Sequence, residues 1–287
     1  MKRFSPANKT DHFETVEDFV KQAEEITGVP THSSRTTGNI YFYGTSTFSE
    51  AVSLTRTGWP EGAAKVLAIR SIANGIVNAM VNARATSYAY DVTGSFVDVG
   101  RFMSGEPECF FTESQECGNI NSPVVKIIAN LSASGSVSSE HLFLRGASVA
   151  AAVDILESLG RRVEVYAASS HIYNKNIYDI MVMVKKANQP LDIDRLAFAI
   201  AHPSFYRRLM FSLMEQNGHE PCATYVNMKG IKCDDAIVTS PIESSKGITM
   251  NQVLEFVADV CRKAGIEIPD EEIKSLTFQA GGASIKF

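Results

Sequence analysis

The chain has 287 residues, 45% of them hydrophobic and 21% charged, with a net charge of −5. That balance supports a sizeable core, excludes a disordered low-hydrophobicity chain, and supplies no overall field to draw in a phosphate backbone. No apolar run approaches the roughly 20 residues of a membrane span, MKRFSPANKTDHFE lacks a signal-peptide core, and the five cysteines are scattered without a C-x-x-C pair; a cytoplasmic protein with reduced thiols and no structural zinc is expected.

Thr15 is a candidate N-cap for a first helix, with Phe19, Val20, Ala23 and Ile26 as its apolar stripe and Gly28 and Pro30 as its stop. A Ser/Thr-rich linker, SSRTTG, follows. The aromatic run IYFY between Asn39 and Gly44 reads as a short strand, and residues 46–57 as a short helix closed by the turn GWPEG. Residues 62–83, rich in alanine, valine and isoleucine, are predicted to continue as a long buried helix. From Ser87, short β-prone runs alternate with expected turns at Gly94, Gly100 and Gly105. Neither G-x-x-x-x-G-K-[ST] nor a strand-to-helix G-x-G-x-x-G is present, so nucleotide-binding loops of those kinds are excluded.

The most ordered pattern begins at residue 123. Residues 124–129, VVKIIA, form a β-branched apolar run of the kind buried on both faces of a parallel sheet, and the polar loop NLSASGSVSSE follows. A helix is predicted over residues 144–159, with Val149, Ala152, Val153, Leu156 and Leu159 inward and Gly160 as its stop. A second strand over 163–167 completes a βαβ unit, and a third over 178–185 is close enough to form an antiparallel hairpin. Pro190 and the acids Asp192 and Asp194 open another helix, which His202-Pro203 interrupts before a further one from Ser204. A strand over 236–239 and a helix over 249–264, capped by Thr249 or Asn251, complete the pattern. The expected fold is a doubly wound, mostly parallel α/β domain over 123–287, preceded by an α+β extension over 1–122.

This order of strand, polar loop, helix, strand, antiparallel strand, helices, strand and helix resembles the von Willebrand factor A-like domains. Those carry Asp-x-Ser-x-Ser after the first strand, a threonine in a later loop and an aspartate after the fourth strand, together holding Mg²⁺ or Mn²⁺. Here the first element reads Asn130-Leu131-Ser132-Ala133-Ser134, and Ser240, after Thr239, stands at the second acid. The resemblance therefore implies a degraded ion site, with no cofactor expected; a retained Mg²⁺ would need Ser132 and Ser134 helped by Asp192 or Asp194. The phrases YFYGTSTFSEAVSLTRTGWPEG, RGASVAAAVDILESLGRRVEVYA and LAFAIAHPSFYRRLMF also resemble a family of tailed-phage and mobile-element proteins, which implies an origin of that kind and a host-cytoplasm location.

Three functions follow as expectations. The first is a non-catalytic binding or adaptor protein that engages a protein partner through Asn130, Ser132, Ser134, Thr239 and Ser240, at the carboxyl edge where such sheets bind ligands. The second is a single-stranded nucleic-acid-binding protein, with Lys185, Lys186, Tyr206, Arg207 and Arg208 as a basic aromatic patch. The third is an Mg²⁺-dependent enzyme built on Asp192, Asp194 and His202. Ser132 lacks a G-x-S-x-G setting, so serine hydrolysis is not expected.

Overall fold

The computed structural model describes residues 9–25, 33–83, 87–114, 124–173, 176–217, 226–240 and 250–266. A strand that the sequence pattern did not announce, β1 (Lys9–Phe13), precedes α1 (Val16–Glu24). Thr15 caps α1 by accepting the Asp18 N–H at 3.1 Å; Ile26 lies outside the described residues. The short helix α2 (Ser33–Thr36) follows. The expected strand at IYFY is instead the helical turn α3 (Ile40–Tyr43). Asn39 Oδ1 accepts the Phe42 N–H at 3.2 Å at one end. At the other, Gly44 takes φ 80° and donates its N–H to the Ile40 carbonyl at 2.7 Å. Caps at both ends override the β-preference of the aromatic residues between them.

α4 (Phe48–Thr57) stops at Gly58, and α5 (Pro60–Ala83) starts two residues before the predicted 62, because proline suits the first helical position. The glycine-punctuated stretch makes a small antiparallel sheet of order β2-β4-β3 from β2 (Ser87–Asp91), β3 (Phe96–Val97) and β4 (Phe110–Ser114). Gly105 lies at a turn with φ 76°. Gly100 does not mark a turn: it sits inside α6 (Val99–Met103), whose cap, Asp98, accepts the Arg101 N–H at 3.2 Å.

The apolar run becomes β5 (Val125–Asn130), the βαβ crossover is α7 (Ser139–Ser158), and β6 (Val163–Tyr173) and β7 (Asn176–Lys185) form the expected antiparallel hairpin. α7 starts five residues before the predicted 144. Ser138 is its cap, accepting the His141 N–H at 3.3 Å, so the polar loop is correspondingly short. α8 (Ile193–Ala201) leads through a π-helical stretch, Phe205–Met210, into α9 (Phe211–Gln216); β8 (Ile237–Val238) and α10 (Met250–Lys263) follow.

The main sheet has the order β1-β7-β6-β5-β8. β6, β5 and β8 are parallel, β7 is antiparallel to β6, and β1 runs parallel to β7. A single apolar core joins Phe19, Val20, Ala51, Val52, Val66 and Ile69 to Ile127, Val165, Ile180 and the α7, α8 and α10 side chains. Residues on both sides of position 122 thus share one core, with β1 inside the sheet rather than in an appendage. The strand residues in that core, Ile127, Ala129, Val163, Val165 and Ala167, alternate onto one face. Lys126, Glu164 and Tyr166 on the other face are half-exposed, while Ile128 and Ala168 beside them are buried. No helix among the described residues is long and apolar enough to cross a membrane.

Candidate functional site at the carboxyl edge

Asn130 is the last residue of β5, beyond the backbone register with β8, and a side chain extends that pairing. Thr239 donates its N–H to the Ile128 carbonyl at 3.0 Å, and its Oγ1 accepts the Asn130 N–H at 2.8 Å. Asn130 Oδ1 then accepts the Ser132 N–H at 3.0 Å, which fixes the start of the loop. Ser132 is buried and reaches β6: its Oγ accepts the Ser170 N–H at 2.8 Å. The Asn227 side chain completes this network by donating to Ser170 Oγ at 2.9 Å. Ser134 lies apart, its Oγ 3.3 Å from that of Ser136. Ser240 is exposed, and its carbonyl accepts from Arg145 Nη2 at 2.9 Å.

Asn130 and Thr239 form one wall of a pocket completed by Leu142, Arg145 and Gly146 of α7 and by His202 and Tyr206. Its volume is about 20 Å³, room for about one water molecule. His202 is neutral at pH 7, because burial pushes its imidazole down to about 4. Its Nδ1 accepts the Ser204 N–H at 3.2 Å, and its ring stands edge-on to Trp59 at 4.5 Å. The Tyr206 hydroxyl accepts the Ala133 N–H at 3.3 Å. On two of the lining residues, Asn130 Nδ2 and Arg145 Nε are buried with no hydrogen-bond acceptor.

Asp192 and Asp194 do not join this site. Asp192 lines a surface pocket with Lys185, and Lys185 of β7 lies opposite Val165, which is itself opposite Ile127 of β5. Asn130 is three residues further along β5, about 10 Å at roughly 3.3 Å per residue, and two strands across the sheet, about 10 Å more. Asp192 serves as the cap of α8, accepting the Arg195 N–H at 3.1 Å. His202 is at the far end of that nine-residue helix, about 14 Å along its axis. The triplet Asp192, Asp194 and His202 is therefore not assembled. No group of three or more His, Cys, Asp or Glu side chains able to hold a metal occurs among the described residues.

The expected basic patch is dispersed and mostly interior. Arg207 and Arg208 are 1% and 0% exposed, and Tyr206 and Lys185 are buried too; Lys186 alone is half-exposed. Arg208 donates to Thr45 Oγ1 at 2.8 Å and to the carbonyls of Ser34 at 2.7 Å, Thr45 at 2.7 Å and Thr37 at 3.1 Å. Arg207 donates to the carbonyls of Phe42 at 2.9 Å and Val137 at 2.5 Å. Lys185 Nζ pairs with Glu157 at 2.6 Å. Most of the guanidinium donors go to backbone carbonyls, while Arg208 Nε takes the Thr45 hydroxyl and Arg207 Nε is buried without an acceptor.

Arg145 and Asn227 were not flagged by sequence reasoning. The signal for Arg145 was one cation in the otherwise apolar run LFLRGASVAAAV. Asn227 carried no comparable signal.

No curated protein and no solved structure matches the chain. A family described as Domain of unknown function (DUF7192) matches residues 5–260, from before β1 into α10, and the chain belongs to that family.

Proposed function

We propose that the chain is a von Willebrand factor A-like domain whose ion site has been rebuilt as hydrogen bonds, and that it acts as a non-catalytic binding protein toward a protein partner. The observation that carries this reading is the use made of the edge side chains. Asn130, Ser132 and Thr239 are committed to backbone groups of the chain itself, while the two acid positions hold Asn130 and Ser240. Metal sites of the Mg²⁺ type need free oxygen ligands and at least one carboxylate. The succession from β5 to α10 supports the same reading, since it follows the element order of that family.

A contact surface adjoins this edge. Ser139 Oγ donates to the Tyr41 carbonyl at 2.6 Å, which ties α3 to the start of α7. Tyr41 itself is 89% exposed, beside the exposed Ser136, Ser138 and Glu140. A projecting tyrosine ringed by small polar residues is the composition of an interface anchor. Affinity capture should retain a specific protein on the parent chain and on Arg195→Ala, at the opposite edge, and lose it at least tenfold on Tyr41→Ala. Equal retention by all three, or a clean catalytic turnover by the purified chain, would overturn the proposal.

A further inference from the structure

We propose that the small sheet β2-β4-β3 and its helix α6 form a docking surface, separate from the carboxyl edge, for a partner segment that presents apolar side chains flanked by lysine or arginine. Exposed large hydrophobic side chains are concentrated there: seven of the thirteen among the described residues lie between Tyr90 and Met103. Phe111 of the central strand β4 has Tyr90 of β2 and Phe96 of β3 opposite it in register. The rings follow the register, with centroids 5.7 and 5.6 Å from that of Phe111, so three aromatics run in a row across one face. α6 begins one capping residue after β3. Its Val99, Phe102 and Met103, spaced i, i+3 and i+4, form one side of the helix at 64, 60 and 79% exposure.

This unit has almost no interior of its own. Cys109 alone is buried among residues 90–112, and α6 buries none of its residues. What fixes α6 on the sheet is polar: the Tyr90 hydroxyl donates to Asp98 Oδ2 at 3.1 Å, the Asp98 N–H donates to the Cys109 carbonyl at 2.8 Å, and the Arg101 guanidinium lies 4.0 Å over the Tyr90 ring. A three-stranded sheet draws its stability from a covered apolar face, and a contiguous apolar surface with a polar rim marks an interaction site. The charge selects the occupant. From Ser87 to Ser114 the sequence holds five acids and one cation, which is four of the chain's five net negative charges. The cation, Arg101, is paired with Glu106 at 3.3 Å, while Asp91 and Glu108 are exposed. A second copy would bring like charge against like, and an anionic membrane or a nucleic acid would be repelled. A segment with apolar anchors and basic flanks matches both the patch and its rim.

The test uses the full chain and, as probe, a fluorescent synthetic amphipathic helix built of leucine and lysine. Anisotropy should show that the parent binds it and that binding weakens as salt rises. A counterpart built of leucine and glutamate should not bind. The double variant Phe102→Ser with Met103→Ser removes two exposed side chains, so the thermal midpoint should stay while affinity falls by about tenfold or more. Asp91→Asn with Glu108→Gln should weaken binding and flatten its salt dependence. Tyr41→Ala should bind as the parent does, which keeps this surface distinct from the carboxyl edge. Amide exchange in the complex should show new protection within residues 90–112. Equal affinity of the parent and the Phe102 double variant, or protection elsewhere, would overturn the proposal. So would dimerisation of the parent, or its binding to phosphatidylglycerol vesicles, if either is lost in that double variant.

Discussion

Gly146 of α7 approaches α8 so closely that a β-carbon at position 146 would overlap the Ile200 carbonyl oxygen and the Ala201 Cα. The two helices therefore cross backbone to backbone, at the wall of the edge pocket. Gly146→Ala must push them apart, and a loss of about 2 kcal/mol is expected, in the range for overpacked cores. Urea unfolding measures it; a variant as stable as the parent would show that α7 and α8 separate freely.

Arg208 organises the segment before α4, because its four hydrogen bonds end on Ser34, Thr37 and Thr45. Arg208→Met would leave the buried carbonyls of Ser34 and Thr45 without a donor. A loss of about 3–5 kcal/mol is expected, with residues 33–45 becoming the first site of limited proteolysis. Arg208→Lys should recover little, since an ammonium cannot reproduce the planar fork. Full stability in the lysine variant would contradict this account.

His202 should impose a pH dependence on folding. Its folded-state pKa is depressed from 6.5 to about 4, so the unfolded chain binds the extra proton between those values. Stability from this group is complete above pH 6.5 and is lost progressively down to about pH 4, amounting to about 3 kcal/mol by the linkage relation. Asp154 and Asp179, whose pKa values burial raises, contribute with the opposite sign. The difference between the parent and His202→Asn isolates the histidine. Parallel stability profiles for the two proteins would show that the imidazole is not held neutral.

Magnesium should leave the protein unchanged. A site with a Kd near 10 µM would add about 2.7 kcal/mol at roughly 1 mM free ion, which is several degrees in midpoint for a chain of this size. With Asn130 and Ser240 in the acid positions, the expected shift is under about 1 °C. A rise abolished by Ser132→Ala would restore a working ion site.

The legible parts of the chain were those where local pattern and burial agree. β5 and the β6–β7 hairpin are β-branched runs flanked by polar turns, and Asn130 and Ser132 follow a strand whose end is a ligand edge in such folds. α7 was found but begun too late, because it is buried nearly all round and its first turns carry no amphipathic stripe. β1 was missed for the opposite reason: KTDHF is largely polar and exists as a strand only through its pairing with β7. Arg207 and Arg208 were placed on the surface because charge is normally solvated. Their carbonyl partners lie 70 residues upstream at Val137 and more than 150 residues upstream in residues 34–45, beyond the reach of any local pattern. Arg145 is hidden in the same way, since its bond to the Ser240 carbonyl is a property of the packed site.

The pairing of β1 with β7 has a consequence for synthesis. Asp11 and Tyr178, joined by a 2.5 Å hydrogen bond, are 167 residues apart in the chain. On a ribosome β1 must therefore wait for more than 160 further residues before its neighbour exists. The hairpin and β5 can form from nearby segments, whereas this edge closes against the largest loop entropy in the sheet. Until then the nascent sheet presents the bare edge of β7, the interval in which a chaperone or a second nascent chain would find it.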